Sequence, residues 1–166
     1  MRGKVRFFLL LLASFLLSGS VLCSGEEKKS VGKRVNLALH CSVFSDTGRN
    51  PEYAVDGKRQ GTFFESRWSE RNYLEIDLGE VRKADGVRIF FWHGDLRYYQ
   101  FYVLSSVDGK KWEMLYDERK NLVRSREEGF GKDFPAKEMR FVRVFVLFNS
   151  VNASCHIREV EIYGKK

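Results

Sequence analysis

The chain has 166 residues, of which 29 are basic and 22 acidic, so its formal charge is +7. Three of the basic residues lie within the first six positions, and the others are spread along the chain without a long basic block. This distribution argues against a nucleic-acid-binding protein. The length is that of one ordinary domain with a core of its own.

The first part of the chain has the pattern of a secretory signal peptide. Three basic residues precede an apolar run over residues 7–17, and small residues follow. The run is too short for a transmembrane helix, which needs ~20 apolar residues. The predicted segments are a signal peptide over residues 1–25, a flexible charged linker over 26–34 and one domain over 35–164. We therefore expect an extracytoplasmic protein that is secreted, periplasmic or held at the cell surface.

The three cysteines bear on this expected location. Cys23 is a candidate site of lipid attachment, although Leu22 is larger than the residue that bacterial lipoprotein signals usually carry there. Cys41 and Cys155 remain in the exported part, where an even count makes a disulfide plausible. The alternative for this pair is two buried free thiols.

Beyond the leader, apolar and polar residues alternate as they do in β-strands. The clearest runs cover residues 73–78, 101–105 and 141–148. Asp108-Gly109 predicts a tight turn, because alternation resumes directly after it, and the two flanking runs then form a hairpin. No segment has the period and caps of an amphipathic helix. The sequence predicts an all-β fold of about eight antiparallel strands packed as a sandwich.

Two carboxylates a hundred residues apart suggest a metal site. Asp56 follows an apolar pair at the start of a turn, and Glu159 lies in an alternating strand over residues 157–164. If the fold brings them together, they create an oxygen-only site suited to Ca²⁺. The alternatives are an Asx turn for Asp56 and a solvent-facing strand carboxylate for Glu159.

A second candidate site is the aromatic and polar segment over residues 92–99. A sugar site needs an aromatic plane for stacking and fixed donors and acceptors for hydroxyls. In this reading Tyr98 or Tyr99 is the platform, and polar residues before the last strand approach from a second loop. The predicted ligand-binding residues are His93, Asp95, Arg97, Tyr98, Tyr99, Asn149, Asn152 and His156. The alternative is that Asp95 and Arg97 form an ion pair that only braces the turn.

Enzymatic activity is not expected. The three histidines, His40, His93 and His156, lack the short spacing of a zinc site, and the chain has no nucleophile elbow or glycine-rich phosphate loop. Trp68 and Trp112 lie within or beside alternating strands, and we interpret both as core residues.

Seven short motifs together resemble the discoidin family, also called the coagulation factor 5/8 type C family. They are found at residues 36–39, 54–57, 67–69, 74–79, 106–112, 140–143 and 158–164. The family is similar to galactose-binding-like carbohydrate modules. The resemblance implies a jelly-roll β-sandwich whose loops at one end recognise sugars, phospholipid headgroups or protein surfaces, without catalysis.

The resemblance also implies a structural calcium ion. The implied ligands are the carbonyls of Tyr53, Lys58 and Arg158, the carboxylates of Asp56 and Glu159, and the hydroxyl of Thr62 or Ser66. The segment over residues 61–66 is longer than in most relatives and resembles a loop of fucose-binding F-type lectins. The sugar-contacting histidine of those lectins is absent, since Arg67, Trp68 and Ser69 take its place, so fucose specificity is not supported.

The sequence therefore predicts a secreted, monomeric, non-catalytic module that binds a glycan or another cell-surface ligand. The alternative is an adhesion or envelope-assembly module that binds a protein or phospholipid surface. That alternative predicts exposed loop tips at Phe63 and Phe64. Membrane contact would then come only through these tips or through a lipid on Cys23.

Overall fold

The structure, a computed structural model, describes residues 33–165, so the predicted signal peptide and Cys23 lie outside the described residues. It contains eight β-strands and one short 3₁₀ helix, Pro51–Val55. The strands are β1 (Arg34–Asn36), β2 (Ser42–Phe44), β3 (Phe64–Arg67), β4 (Tyr73–Phe91), β5 (Tyr99–Ser106), β6 (Glu113–Glu118), β7 (Phe130–Asn149) and β8 (Ser154–Lys165). Within residues 33–165, no helix has the length and apolar character needed to cross a membrane.

All strand pairs are antiparallel. The order is β1-β8-β4-β7-β5-β6, with β2 added to β4 and β3 added to β8. The first part of β4, residues 73–77, pairs with β2 and with the end of β7, whereas residues 84–91 pair with β8. Register breaks separate these parts, and such bulges bend a long strand so that it can serve two layers. The arrangement confirms the predicted all-β, antiparallel β-sandwich.

The alternating pattern places one side of each strand in a single core. Leu74 and Ile76 of β4 pack there together with Val142 and Val144 of β7. An aromatic cluster closes the core where β4 ends and β5 begins: the Phe91 ring centre lies 4.4 Å from that of Tyr99 and 5.0 Å from that of Phe101. This cluster anchors both ends of the loop that connects the two strands.

The predicted hairpin is present as β5 and β6. Its turn places Gly109 at φ +72°, a left-handed conformation that favours glycine. The Ser106 hydroxyl accepts the Gly109 amide at 2.9 Å. The Trp112 indole is half-buried and donates to the Gly109 carbonyl at 3.1 Å.

The amino-terminal boundary of the domain differs from the prediction. Arg34, which the sequence assigned to a flexible linker, lies in β1 opposite Lys165 of β8. Its guanidinium bonds to Asp85 at 2.7 Å and to Asp133 at 2.5 Å. These long-range partners are invisible in local composition, which is why the charged segment read as a linker.

The predicted disulfide is not formed, because Cys41 and Cys155 are both free thiols. Cys41 donates to the Leu37 carbonyl at 3.1 Å, just before β2. Cys155 is buried on β8 opposite Ser66 of β3. Cys41 thus precedes β2, which pairs with β4, whereas Cys155 lies on β8 opposite β3, and burial raises the pKa of each thiol. The alternative of two free thiols describes the structure.

Candidate functional site

Three loops meet at one end of the sandwich, which we call the loop end. They cover residues 68–72, 92–98 and 150–153. The backbone joins them directly: the Trp68 amide donates to the Ala153 carbonyl at 3.2 Å, and the Ser150 amide donates to the Tyr98 carbonyl at 3.1 Å. The loops therefore form one continuous surface.

Five half-buried aromatic side chains surround the loop end, and we call them the aromatic rim. They are Phe63, Trp68, Trp92, Tyr98 and Phe148. The Phe148 ring centre lies 5.9 Å from that of Trp68 and 5.8 Å from that of Tyr98. Trp68 packs on the core, as the sequence suggested, but keeps part of its surface accessible.

The loop over residues 92–98 folds back on Trp92. A Cβ at Gly94 would lie 2.3 Å from the indole, so only glycine fits this close approach. The Arg97 guanidinium lies 4.4 Å from the Trp92 ring centre in a cation–π contact. Trp92 is thereby held at the rim in one orientation.

Arg97 is buried, with 7% of its surface exposed. Asp95 binds it through two bonds, from Nε to Oδ1 at 2.7 Å and from Nη2 to Oδ2 at 2.6 Å. This ion pair lowers the pKa of Asp95. Because little of its surface reaches solvent, the prediction that Arg97 contacts a ligand directly is corrected. The alternative, an ion pair that braces the turn, describes Arg97, whereas 36% of the Asp95 side chain stays exposed and can still meet a ligand.

Tyr99 and Asn149 are also structural. Tyr99 is fully buried and stacks on Phe91, so it is not a platform. The Asn149 amide nitrogen donates to the Ser154 carbonyl at 2.7 Å, and its oxygen accepts the Val151 amide at 3.0 Å. Asn149 shapes the loop before β8 and, with 2% of its surface exposed, has almost no surface to offer a ligand, which corrects its predicted role.

His156 lies between the buried network and the surface. Its Nδ1 is 3.2 Å from Arg97 Nη1 and 3.1 Å from the Tyr99 hydroxyl. Its Nε2 is 3.9 Å from Oε1 of Glu65, and 12% of the imidazole side chain is exposed. Burial, together with the Arg97 charge, lowers the pKa of His156, so the ring is neutral at pH 7.

The remaining predicted ligand residues keep accessible polar surface. His93 is half-buried, with Nδ1 3.4 Å from Arg158 Nη1. Asn152 is exposed, and its carboxamide oxygen accepts the Ser154 amide at 2.9 Å. Together with Asp95, Tyr98 and His156, these residues lie at one end of the molecule.

Sequence reasoning missed Glu65 and Arg49. Glu65 lies on β3 directly opposite His156, and its Oε2 accepts from Arg49 Nη2 at 2.9 Å. Alternation indicates only that Glu65 points away from the buried Phe64. Which residue it faces depends on the register of β3 against β8, and no local pattern specifies that register.

Phe63 and Phe64 do not form exposed loop tips. Phe64 is buried in the core, with 2% of its surface exposed. Phe63 is half-buried and meets the His156 ring edge-on at 5.4 Å between ring centres. The exposed apolar side chains of the loop end are instead Leu96 and Val151.

The turn at Asp56 packs against β8, as proposed for the metal site. The Gly57 amide donates to both oxygens of the Glu159 carboxylate at 3.2 Å. Glu159 has no exposed surface, so the solvent-facing alternative is wrong. Burial is the main cause that raises the pKa of Glu159 to about 8, and the nearby Asp56 and Glu161 charges add to it.

Asp56 forms the expected Asx turn and also accepts a hydrogen bond from a hydroxyl group. Its Oδ1 accepts the Lys58 amide at 2.8 Å, and its Oδ2 accepts from Thr62 Oγ1 at 3.0 Å. The Ser66 hydroxyl bonds to the Arg67 carbonyl instead, since β3 places Ser66 opposite Cys155. Thr62 is therefore the hydroxyl of this group, and the inclusion of Ser66 is corrected.

These residues fit a calcium ion in charge and chemistry. Glu159 is a buried carboxylate that accepts only one backbone amide, and Asp56 brings a second carboxylate near it. Among residues 33–165, no cluster of three His, Cys, Asp or Glu side chains forms a metal site. A calcium site here would therefore need backbone carbonyls as well. Tyr53 lies in the 3₁₀ helix before this turn, Lys58 in the turn itself and Arg158 on β8.

A charged clasp holds the next residues of this turn. Arg59 Nε and Nη2 donate to the two oxygens of Glu161, each at 2.9 Å. The guanidinium also lies 4.4 Å from the Phe90 ring centre. The clasp fixes the turn to β8 at Glu161, two residues beyond Glu159 and on the same side of the strand.

Comparison with known proteins identifies a family. Residues 38–160 match the F5/8 type C domain family. The chain is 32% identical over 87 residues to BTB/POZ domain-containing protein 9 of Homo sapiens. It is 29% identical over 88 residues to the protein of the same name from Drosophila melanogaster. The match covers 52% of this chain and 14% of the human protein, so the chain spans a small part of that relative.

Solved structures share the fold. The CBM32 of AlyQ in complex with 4,5-unsaturated mannuronic acid has a TM-score of 0.61 and 24% identity, covering 73% of this chain and 92% of that chain. The chitosan-binding module 2 in complex with chitotriose, from a chitosanase/glucanase of Paenibacillus sp. IK-5, has a TM-score of 0.65 and 22% identity, covering 78% and 100%. CpGH89CBM32-6 of Clostridium perfringens has a TM-score of 0.64 and 21% identity, covering 80% and 100%.

Proposed function

The chain belongs to the F5/8 type C domain family, and from that premise we propose that it is an extracytoplasmic, non-catalytic module that binds carbohydrate at the loop end. The observation that carries this proposal is the aromatic rim beside accessible polar groups. Aromatic faces stack on the apolar faces of sugar rings, and fixed polar groups select their hydroxyls. The loop end supplies both.

The polar residues have distinct parts in this function. Asp95 and Glu65 accept hydrogen bonds from sugar hydroxyls, Asn152 donates or accepts through its exposed carboxamide, and His156 contributes one ring nitrogen. Tyr98 is the proposed stacking platform, because Phe148 supports its ring and leaves part of it accessible. Arg97 and Tyr99 are buried beneath these residues and fix the position of His156.

Fold neighbours lend support. Two of the similar structures contain carbohydrate, namely 4,5-unsaturated mannuronic acid and chitotriose. One sugar is an acid and the other is not, so they support the ligand class and not a particular sugar.

We further propose that Asp56, Thr62 and Glu159 hold a structural calcium ion together with the carbonyls of Tyr53, Lys58 and Arg158. The ion would supply positive charge to two close carboxylates, and it would tie the turn after the 3₁₀ helix to β8. Because only the folded chain presents this set, calcium would stabilise the fold. Phe63 directly follows Thr62 and contacts His156. An ion that holds Thr62 in place would therefore also stabilise the loop end.

A glycan array tests the carbohydrate proposal. We expect the folded protein to bind a defined group of glycans in calcium, with weaker binding after chelation. Binding that is equal for all glycans, or absent from every glycan in calcium, contradicts the proposal. Retained folding, verified by circular dichroism in each condition, separates loss of the ligand site from loss of structure.

A second candidate function rests on the exposed apolar tips. Leu96 is 68% exposed and Val151 is 56% exposed, and both lie on loops of the loop end. Such tips can enter the interfacial region of a phospholipid surface. Sedimentation with phosphatidylcholine and phosphatidylserine vesicles tests this function, and a Leu96→Asp variant should lose any binding that depends on the tips.

A further inference from the structure

We propose that Arg97 is a positioning residue that fixes His156 in the tautomer protonated on Nε2. The pair formed by His156 and Glu65 then receives a hydroxyl group and discriminates against an anionic oxygen. The inference rests on the proposed carbohydrate-binding function and specifies its ligand as a neutral hydroxyl-bearing sugar. Its first step, the tautomer, concerns the free protein alone.

The tautomer follows from the donors around Nδ1. Arg97 Nη1 is 3.2 Å from Nδ1, and a guanidinium has protons to donate and no acceptor. The Tyr99 hydroxyl is 3.1 Å from the same nitrogen and can donate to it as well. Nδ1 must therefore accept, and a neutral imidazole then carries its single proton on Nε2.

Arg97 cannot turn away from this contact. Asp95 holds the other side of the guanidinium through two bonds, and Trp92 covers its face. With 7% of its surface exposed, Arg97 has little room to move. The planar fork of an arginine is needed here, because a lysine cannot bond Asp95 twice and still reach His156.

The proton on Nε2 faces Glu65. Nε2 and Oε1 are 3.9 Å apart, which is too long for a direct hydrogen bond, and both side chains are partly exposed. Arg49 holds the other oxygen of the carboxylate at 2.9 Å. The Nε2–H donor of His156 and the Oε1 acceptor of Glu65 are therefore neighbours that do not bond to each other.

A hydroxyl oxygen can bridge these two atoms. It can lie about 2.8 Å from each atom, accept from Nε2–H and donate its own proton to Glu65. A carboxylate or sulfate oxygen can accept from Nε2–H but has no proton for Glu65, and the two negative charges repel. With the opposite tautomer both protein atoms would be acceptors, and a hydroxyl could satisfy only one.

Nuclear magnetic resonance tests the tautomer. In a long-range ¹H–¹⁵N correlation spectrum of the full chain at pH 7.5, we expect His156 as the Nε2–H form, whereas exposed His40 shows exchange between forms. Tyr99→Phe should leave the tautomer unchanged because Arg97 remains. Arg97→Gln should reduce the Nε2–H population. A wild-type His156 protonated on Nδ1 overturns the proposal even if no variant folds.

Binding tests the selectivity. On an array with matched neutral and sulfated forms of the same oligosaccharides, we expect the wild type to prefer the neutral form at least tenfold. Glu65→Gln, which removes the charge and adds a donor, should lower this preference to below threefold while His156 keeps its tautomer. Equal or tighter wild-type binding of sulfated forms overturns the selectivity. Binding of neither form contradicts the proposed function itself, and the spectra then still decide the role of Arg97.

Discussion

The Gly57 amide donates to both carboxylate oxygens of Glu159, two residues that lie 102 positions apart in the chain. Gly57 has φ +82°, a conformation that side chains rarely adopt, so glycine allows the turn to aim its amide at β8. One neutral amide only partly compensates a carboxylate without solvent contact. This imbalance is the physical basis of the first three predictions.

Calcium should stabilise the domain through Glu159. At a concentration about 100-fold above its dissociation constant, the free energy of unfolding should rise by about 2.7 kcal/mol, which raises Tm by roughly 10 °C. Thermal unfolding with calcium and with chelator measures the effect. Glu159→Gln should abolish the calcium-induced shift, and Glu138→Gln, a change at an exposed carboxylate, should retain it. A full shift in the Glu159 variant would contradict the assignment.

Without calcium, stability should fall as pH rises. The pKa of Glu159 in the folded chain is about 8, above the ordinary value of 4.5, so the folded state holds its proton when the unfolded state has lost it. Between these two values the folded state binds more protons, and stability therefore decreases from about pH 5 to pH 8. Urea unfolding in chelator at several pH values measures the slope.

The same linkage predicts how calcium binding responds to pH. The ion needs the deprotonated carboxylate, so the calcium-induced increase in stability should be larger at pH 8.5 than at pH 5.5. Glu159→Gln should remove most of the decline seen in chelator. If the Glu159→Gln variant loses as much stability with rising pH as the wild type, another group causes the decline.

Loss of the clasp between Arg59 and Glu161 should destabilise the domain. Arg59→Ala leaves Glu161, whose side chain is 9% exposed, without its bidentate partner. The expected decrease is about 2 kcal/mol, since an unpaired buried group costs more than an exposed pair gains. Chemical denaturation measures it. Arg82→Ala, which breaks a pair with the exposed Glu80, is the control and should cost less than about 1 kcal/mol.

Tyr98→Ala should weaken glycan binding about 3- to 10-fold, because the variant removes a stacking surface that contributes about 0.5–1.5 kcal/mol. Stability should change little, since the ring is half-buried at the rim. Isothermal titration with the best glycan from the array measures the affinity. Trp112→Ala is the control, because Trp112 is also a half-buried aromatic residue but lies beside the β5–β6 turn, at the end of β5 opposite Tyr99.

Local patterns revealed much of the fold and part of the site. Alternation located the long strands, and Asp108-Gly109 located the β5–β6 hairpin, because strand periodicity and turn chemistry are properties of neighbouring residues. The resemblance to a family added the pairing of Asp56 with Glu159. It left open which hydroxyl joins them, and Thr62 was identified only once the turn was seen in three dimensions.

The roles within the loop end could not be read in the same way. The segment over residues 92–99 offered polar and aromatic residues of similar promise, yet Arg97 and Tyr99 are buried while Asp95 and Tyr98 keep accessible surface. Burial depends on contacts with distant strands, and local composition does not encode those contacts. For the same reason Cys41 and Cys155 looked like a pair, although Cys41 precedes β2 and Cys155 lies on β8 opposite β3.

The sequence by itself determined the strand periodicity, the hairpin turn and the residue types of both candidate sites, because these follow from side-chain direction and turn conformation along a few neighbouring residues. The tertiary structure alone decided that Glu65 faces His156 and that Arg34 belongs to the sheet. Such relationships depend on the register between strands far apart in the chain. A shift of one residue in that register would turn each side chain to the opposite face.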